Sequence, residues 1–193
     1  INYKMKNRYL LGFTARYDGS SRFGANNRYG FFPSVSAGWI ISEEGFLEGG
    51  STLSFLKLRG SYGLIGNASI PNYESFGTYT ASSYNTQSAL IPEQIPNPDL
   101  TWETTAQVDI GLDFGFLDDK INGSIDYYNK QTSDLLLNVP IPGTSGFRTQ
   151  FQNVGALENK GIELTLNYRL DAGEFTWETG ANWARNDNKI LEL

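Results

Sequence analysis

Residues Leu100 to Phe116 read LTWETTAQVDIGLDFGF. One side of this stretch carries Trp102, Thr104, Ala106, Val108, Ile110, Leu112, Phe114 and Phe116. The other carries Glu103, Thr105, Gln107, Asp109, Gly111, Asp113 and Gly115. The period is two, and no charge falls on the first side. That is the pattern of a β-strand with one apolar and one polar face. Ordinary strands run about 5–6 residues; this alternation persists for roughly three times that.

The same pattern recurs to either side. Tyr9, Leu11, Phe13, Ala15 and Tyr17 alternate with polar or small residues, as do Val35, Ala37, Trp39 and Ile41. Leu56 to Leu64, Ile121 to Tyr127, Ile162 to Leu170 and Phe175 to Trp183 repeat it. Together they predict an all-β, antiparallel up-and-down meander of about seven strands. The strands are expected near 8–17, 31–41, 54–64, 100–116, 121–132, 161–170 and 174–186. The connectors 117–120 and 171–174 are tight, whereas 18–30, 65–99 and 133–160 are long. In an up-and-down arrangement the long ones share one end, as in transmembrane barrels. Aromatic residues near the strand ends of the apolar face fit the interfacial girdles of such a wall. The expected outward set includes Val108, Ile110, Leu112, Leu164 and Leu166. The expected lumen-facing set is Glu103, Gln107, Asp109, Asp113 and Glu163, with Thr165. A soluble β-sandwich that binds a ligand also alternates and is the competing architecture. A carboxylate-based enzyme is a third reading.

Composition narrows the chemistry. The 193 residues contain no Cys and no His, which excludes a disulfide framework, Cys or His zinc ligands and Cys–His or Ser–His pairs. No cofactor or metal site is expected. A net charge of −6 argues against a nucleic-acid partner. Mean hydropathy is −0.37, and no apolar run is long enough for a helical span. Ser54 and Lys57 have S-x-x-K spacing, but on a strand they point to opposite faces. Asn67 and Asn122 open short sequons that occur by chance. Asp109 and Asp113 lie about 13 Å apart along one strand face, beyond the ~5–5.5 Å of a retaining glycosidase pair. Catalytic residues are therefore not assigned.

Two loops carry candidate contacts. Asp18, Arg22 and Arg28 sit in DGSSRFGANNRYG, a run of turn formers, where they are expected to hold a loop in order. Tyr73, Phe76, Tyr79 and Tyr84 lie among Ser, Thr, Asn and Gln, a composition that suits sugar rings, peptide backbone or a protein partner.

Five blocks in order point to a family. They are DGSSRFGANNRYGFFPSVSAGW from Asp18, LKLRGSYGLIGN from Leu56 and NPDLTWETTAQVDIGLDFGF from Asn97, then DYYNKQTSDLLL from Asp126 and NVGALENKGIELTL from Asn153. Together they resemble the C-terminal barrel region of the SusC/RagA family of TonB-linked outer-membrane receptors of Bacteroidota. The resemblance implies a barrel of roughly 22 strands around a plug, and localisation in the cell outer membrane, in contact with its lipid. It implies import of an oligosaccharide or peptide, a SusD-type surface lipoprotein as lid, and coupling to the TonB complex through an N-terminal part. Residues 1–193 match the barrel only; the plug domain, the TonB box and the closing strand with its terminal aromatic have no counterpart in them. The chain starts at Ile1 without a leader pattern and is expected to be a piece of a longer protein.

Overall fold

The computed structural model describes residues 1–47, 52–85 and 87–193, with the side chain of residue 84 left out. Eight strands form one antiparallel sheet. In order they are β1 (Asn2–Met5), β2 (Tyr9–Gly19), β3 (Tyr29–Ile40), β4 (Leu53–Asn67), β7 (Glu103–Phe116), β8 (Ile121–Ser133), β11 (Ala156–Ala172) and β12 (Phe175–Glu192). Two hairpins stand outside it: β5 (Thr78–Tyr84) with β6 (Gln87–Gln94), and β9 (Leu136–Pro140) with β10 (Thr149–Asn153). With the hairpins set aside, every strand pairs with its neighbours in sequence. Seven of the eight are the expected ones; the short β1 precedes them.

The turns at one end follow local backbone chemistry. Lys6 and Asn7 both have positive φ between β1 and β2, the primed geometry that suits twisted hairpins. Leu117, Asp118 and Asp119 are left-handed in succession between β7 and β8. The Asn122 side chain donates to the Asp119 carbonyl at 3.0 Å, and Ser54 Oγ accepts from the Asp119 amide. Gly173 (φ 68°) closes the link from β11 to β12. At the opposite end lie the connections 20–28, 68–102 and 134–155, of which the last two hold the hairpins.

Register fixes the tilt. Tyr9 pairs with Trp39, then Leu58, Leu112, Ile125, Leu164 and finally Trp183, across six strand steps. Tyr9 is the first aromatic beside its turn, but on β12 that place belongs to Phe175 and Trp177. The row has climbed six to eight residues, or roughly 20–26 Å along the strand against about 29 Å across it. The strands therefore lean roughly 35–45° from the normal to the rim, the tilt of transmembrane barrels.

The wall has two faces and no core of its own. Val108, Ile110, Leu164 and Leu166 are 36–51% exposed and share a face with Leu112. Gln107, Asp109, Asp113, Glu163 and Thr165 lie on the other. Among the described residues no second sheet covers the apolar side. The accessible surface is 13077 Å², against about 9,200 Å² for a self-contained monomer of this mass. That excess is what an open sheet accessible on both faces presents.

Candidate functional site

The polar face is organised by Arg59 of β4. Its Nε donates to Asp113 of β7 at 3.1 Å, and its Nη2 donates to Asp126 of β8. Arg59 reaches the second strand because Gly111 lies between them. A Cβ on Gly111 would stand 2.6 Å from Arg59 Cζ. Lys57 adds a second cation 3.5 Å from Asp113. Asp109 accepts from Ser61 Oγ at 3.2 Å and from Gln107 Nε2 at 2.9 Å, and Ser124 Oγ donates to Asp126 at 3.0 Å. Glu163 stands directly opposite Asp126 on β11. Each carboxylate except Glu163 is thus occupied by donors from the wall itself. Beside this network a hollow of about 440 Å³ is floored by Gly12 and Gly38 and edged by Lys4, Lys57 and Arg59.

The loop end holds the buried apolar cluster of the described residues. Phe23 and Leu100 are fully buried, with Ile70 and Phe32 nearly so. Trp102, Leu136 and Phe151 pack around them, and Trp102 lies 5.0 Å from Phe23 and 5.3 Å from Phe32, centroid to centroid. Three connections thus share one small core. Gly24 allows the closest approach, since a Cβ there would collide with the Pro98 carbonyl. Its amide donates to the Leu100 carbonyl at 3.2 Å. Asn153 binds Thr101 in both directions, at 2.9 and 2.8 Å, and Asn97 donates to the Phe151 carbonyl at 2.7 Å. Glu103 accepts from the Leu136 amide at 3.2 Å and from Asn67 at 3.0 Å, which ties the rim of the wall to the loops.

The remaining candidates separate. Arg22 donates to Asn72 Oδ1 at 3.1 Å and to the Ala68 carbonyl at 2.9 Å. Asp18 pairs with Arg16 of its own strand at 3.3 Å, and Arg28 offers its carbonyl to the Ser20 amide. Tyr73, Phe76 and Tyr79 are exposed at the base of the β5–β6 hairpin; the Tyr84 side chain lies outside the described residues. Gln94 Nε2 sits 2.7–3.2 Å from the carbonyls of Tyr73, Glu74 and Phe76 and pins that segment. Burial raises the Glu74 carboxyl above its usual range.

At the opposite end Glu44 accepts from Tyr9 OH at 2.6 Å, Trp39 Nε1 at 2.9 Å and Arg8. The Tyr9 and Trp39 hydrogen bonds hold its carboxyl below the usual range. Among the described residues no group of acidic side chains is placed to hold a metal.

Sequence reading passed over Arg59, although Lys57, Arg59 and Ser61 stand on the polar side of one strand. The available signal was two cations on β4 facing two carboxylates across a glycine. The loop core had no periodic signal.

Family comparison agrees with the tilted, two-faced wall. The TonB dependent receptor-like β-barrel model matches residues 1–191. The chain belongs to that family. A TonB-dependent receptor of Formosa agariphila is 41% identical, and so is the TonB-dependent receptor SusC of Bacteroides thetaiotaomicron; both alignments take in the whole chain and 20% of the relative. The solved RagAB peptide transporter superposes with a TM-score of 0.93 at 35% identity, over the whole chain and 21% of that structure. The chain spans about a fifth of these relatives. The wall is a segment of a TonB-dependent receptor barrel and lies in the outer membrane. Its short turns therefore face the periplasm and its long loops the exterior.

Proposed function

We propose that this wall is part of the import channel of a TonB-dependent receptor that takes up oligosaccharides or peptides. The observation that carries the reading is a barrel wall, apolar outside and hydrogen-bonded inside, whose exterior loops share one buried core. It makes and breaks no covalent bond; its work is passage. The lumen surface is that of Glu103, Gln107, Asp109, Asp113 and Glu163, organised by Arg59. Arg22 keeps the 20–28 loop in place, with Asp18 and Arg28 at its ends. Tyr73, Phe76, Tyr79 and Tyr84 meet the cargo or a SusD-type lipoprotein over the mouth. A plug and the TonB contact come from the part of the receptor outside residues 1–193. SusC and the RagAB peptide transporter, by their names, support this class of partner and cargo.

The test is uptake by cells that depend on the full-length receptor. Tyr73→Ala combined with Phe76→Ala and Tyr79→Ala should lower uptake of labelled oligosaccharide or peptide. Unchanged co-purification of the lipoprotein would then assign the aromatics to cargo, and its loss would assign them to the lid. Uptake and co-purification both at wild-type level would defeat the proposal for these residues.

A further inference from the structure

On the exterior side the strands meet water, and they answer it in different ways. Above the row of Leu164 and Trp183 the outer face of β11 and β12 turns polar: Lys160 stands opposite Asp187, and Glu158 opposite Lys189. The two hairpins have a further exposure, because each is a two-stranded sheet with two free edges. A free edge presents unpaired N–H and C=O groups to any extended chain. Natural proteins blunt such edges with proline, charge, a bulge or a covering group.

Among the described residues three of the four hairpin edges are blunted. On β10 the Phe151 carbonyl accepts from the Asn97 side chain at 2.7 Å. On β9 the Leu136 amide donates to Glu103 at 3.2 Å, and Pro140 has no N–H to offer. On β6 Pro92 removes a donor, and Glu93 is the extra residue of a bulge, since Thr78 pairs with Gln94 and Tyr79 with Pro92. β5 carries none of these devices. Its sequence, TYTASSY, has no proline and no charge, and it is rich in strand formers. Tyr84 and Gln87 close the hairpin, so alternate residues bond inward from that pair. Ala81 and Ser83 therefore turn their N–H and C=O away from β6. Both residues are exposed, and among the described residues β5 pairs with β6 alone. Tyr79 stands on the same strand and Phe76 just before it, each with an exposed ring.

We propose that the free edge of β5 captures peptide cargo, which adds to the hairpin as a third strand. The peptide main chain pairs with Ala81 and Ser83, and its side chains lie against Tyr79 and Phe76. Affinity from main-chain hydrogen bonds is indifferent to sequence, which suits a mouth that receives mixed peptides. The edge is seven residues long, and the few bonds it offers suit transient capture better than a lasting protein joint. The inference rests on the import reading above and narrows the cargo of this loop to peptides.

The test uses the full-length receptor in detergent and fluorescence anisotropy. The probe is a fluorescein-labelled peptide of alternating Thr and Ala. Its counterpart, N-methylated at every residue, keeps the side chains and has no backbone donor. The wild type should bind the plain peptide and hold the N-methylated one at least about tenfold more weakly, the worth of one or two net hydrogen bonds. Ala81→Pro removes an outward donor and should weaken binding of the plain peptide about tenfold. Leu90→Pro, at the cross-strand position on the β6 edge, should leave binding unchanged. Hydrogen exchange at 79–83 of the wild type should slow when the plain peptide is added, a readout that needs no variant. Absence of peptide binding by the wild type, equal binding of the two peptides, or equal binding by Ala81→Pro would overturn the site. Displacement of the peptide by maltoheptaose would show a sugar site and overturn the peptide assignment. Loss of the co-purifying lipoprotein in Ala81→Pro, with peptide binding intact, would give the edge to that partner instead. Uptake judges the import reading separately: a receptor that binds the peptide at β5 and transports nothing would defeat that reading and keep the site.

Discussion

The barrel wall and the loop cluster are stabilised by opposite means. In the wall, apolar side chains such as Ile110 and Leu166 stay half open, and the strands are joined by backbone ladders and by Arg59 reaching over Gly111. In the loops, Phe23 and Leu100 are fully enclosed by residues from three connections. The wall leaves its hydrophobic surface for lipid. The loops meet water on all free sides and so must build a core of their own. Their ends are anchored in a rigid sheet, so a few buried residues suffice to order long connections.

The largest expected effect falls on the loops. Phe23→Ala in the full receptor should cost the loop cluster about 3–5 kcal/mol, the range for emptying a packed aromatic site. Limited proteolysis should then cut within 68–102 or 134–155 while the barrel retains its resistance to unfolding in detergent. Simultaneous loss of the barrel would merge the two regions into one cooperative unit and end the contrast.

Next comes the lipid face. Leu166 sits mid-way along the apolar part of β11, and Leu166→Arg should destabilise by about 2–4 kcal/mol, the cost of a cation near the bilayer centre. Thr165→Arg, one residue away on the lumen face, should cost far less. Equilibrium unfolding of the refolded receptor in lipid measures both, and equal penalties would contradict two-sidedness.

A smaller effect is expected at Arg59. Asp113 and Asp126 keep about a quarter of their side-chain surface exposed, so water screens them once the guanidinium is gone. Arg59→Met should cost about 1–2 kcal/mol after that discount. Gly111→Ala should act in the same direction, because it displaces Arg59 from between its partners.

The smallest effect is the pH response of the periplasmic rim. The Glu44 carboxyl is held below its usual range, so its contribution is complete above the unfolded carboxylate pKa. It is lost only as pH falls through the lower folded value. Glu44→Gln should remove this acid-side response of the 41–47 turn. Hydrogen exchange at its amides is the readout, and identical acid profiles for variant and wild type would refute the assignment.

Seven long strands were legible because hydrophobic alternation reports which solvent each face meets. The same fact explains the misses. β12 runs to Glu192, and β11 starts at Ala156, yet alternation fades where Arg185 and Lys160 leave the hydrocarbon. The pattern ended with the membrane and not with the strand. The β5–β6 hairpin is largely exposed, the β9–β10 hairpin meets the loop core through Leu136 and Phe151 alone, and both are too short to imprint a clear period, while β1 is only four residues long. Glu103, Gln107, Asp109, Asp113 and Glu163 could be placed by parity alone. Arg59 could not be singled out, since its partners come from strands 54 and 67 positions away. Phe23 and Leu100 meet across a similar gap, with no local signature.

The central claim is that one sheet carries a lipid face and a lumen face, and that the lipid face stops below its exterior end. The direct measurement is a nitroxide scan of the full receptor in lipid nanodiscs, with single cysteines from 156 to 170; residues 1–193 contribute no competing thiol. Collisions with oxygen should dominate at 162, 164, 166 and 168, and collisions with a polar nickel chelate at 161, 163, 165 and 167. At 160 and 158 the outward positions should switch to the chelate. A scan without alternation, or oxygen dominance continuing through 158, would contradict the account.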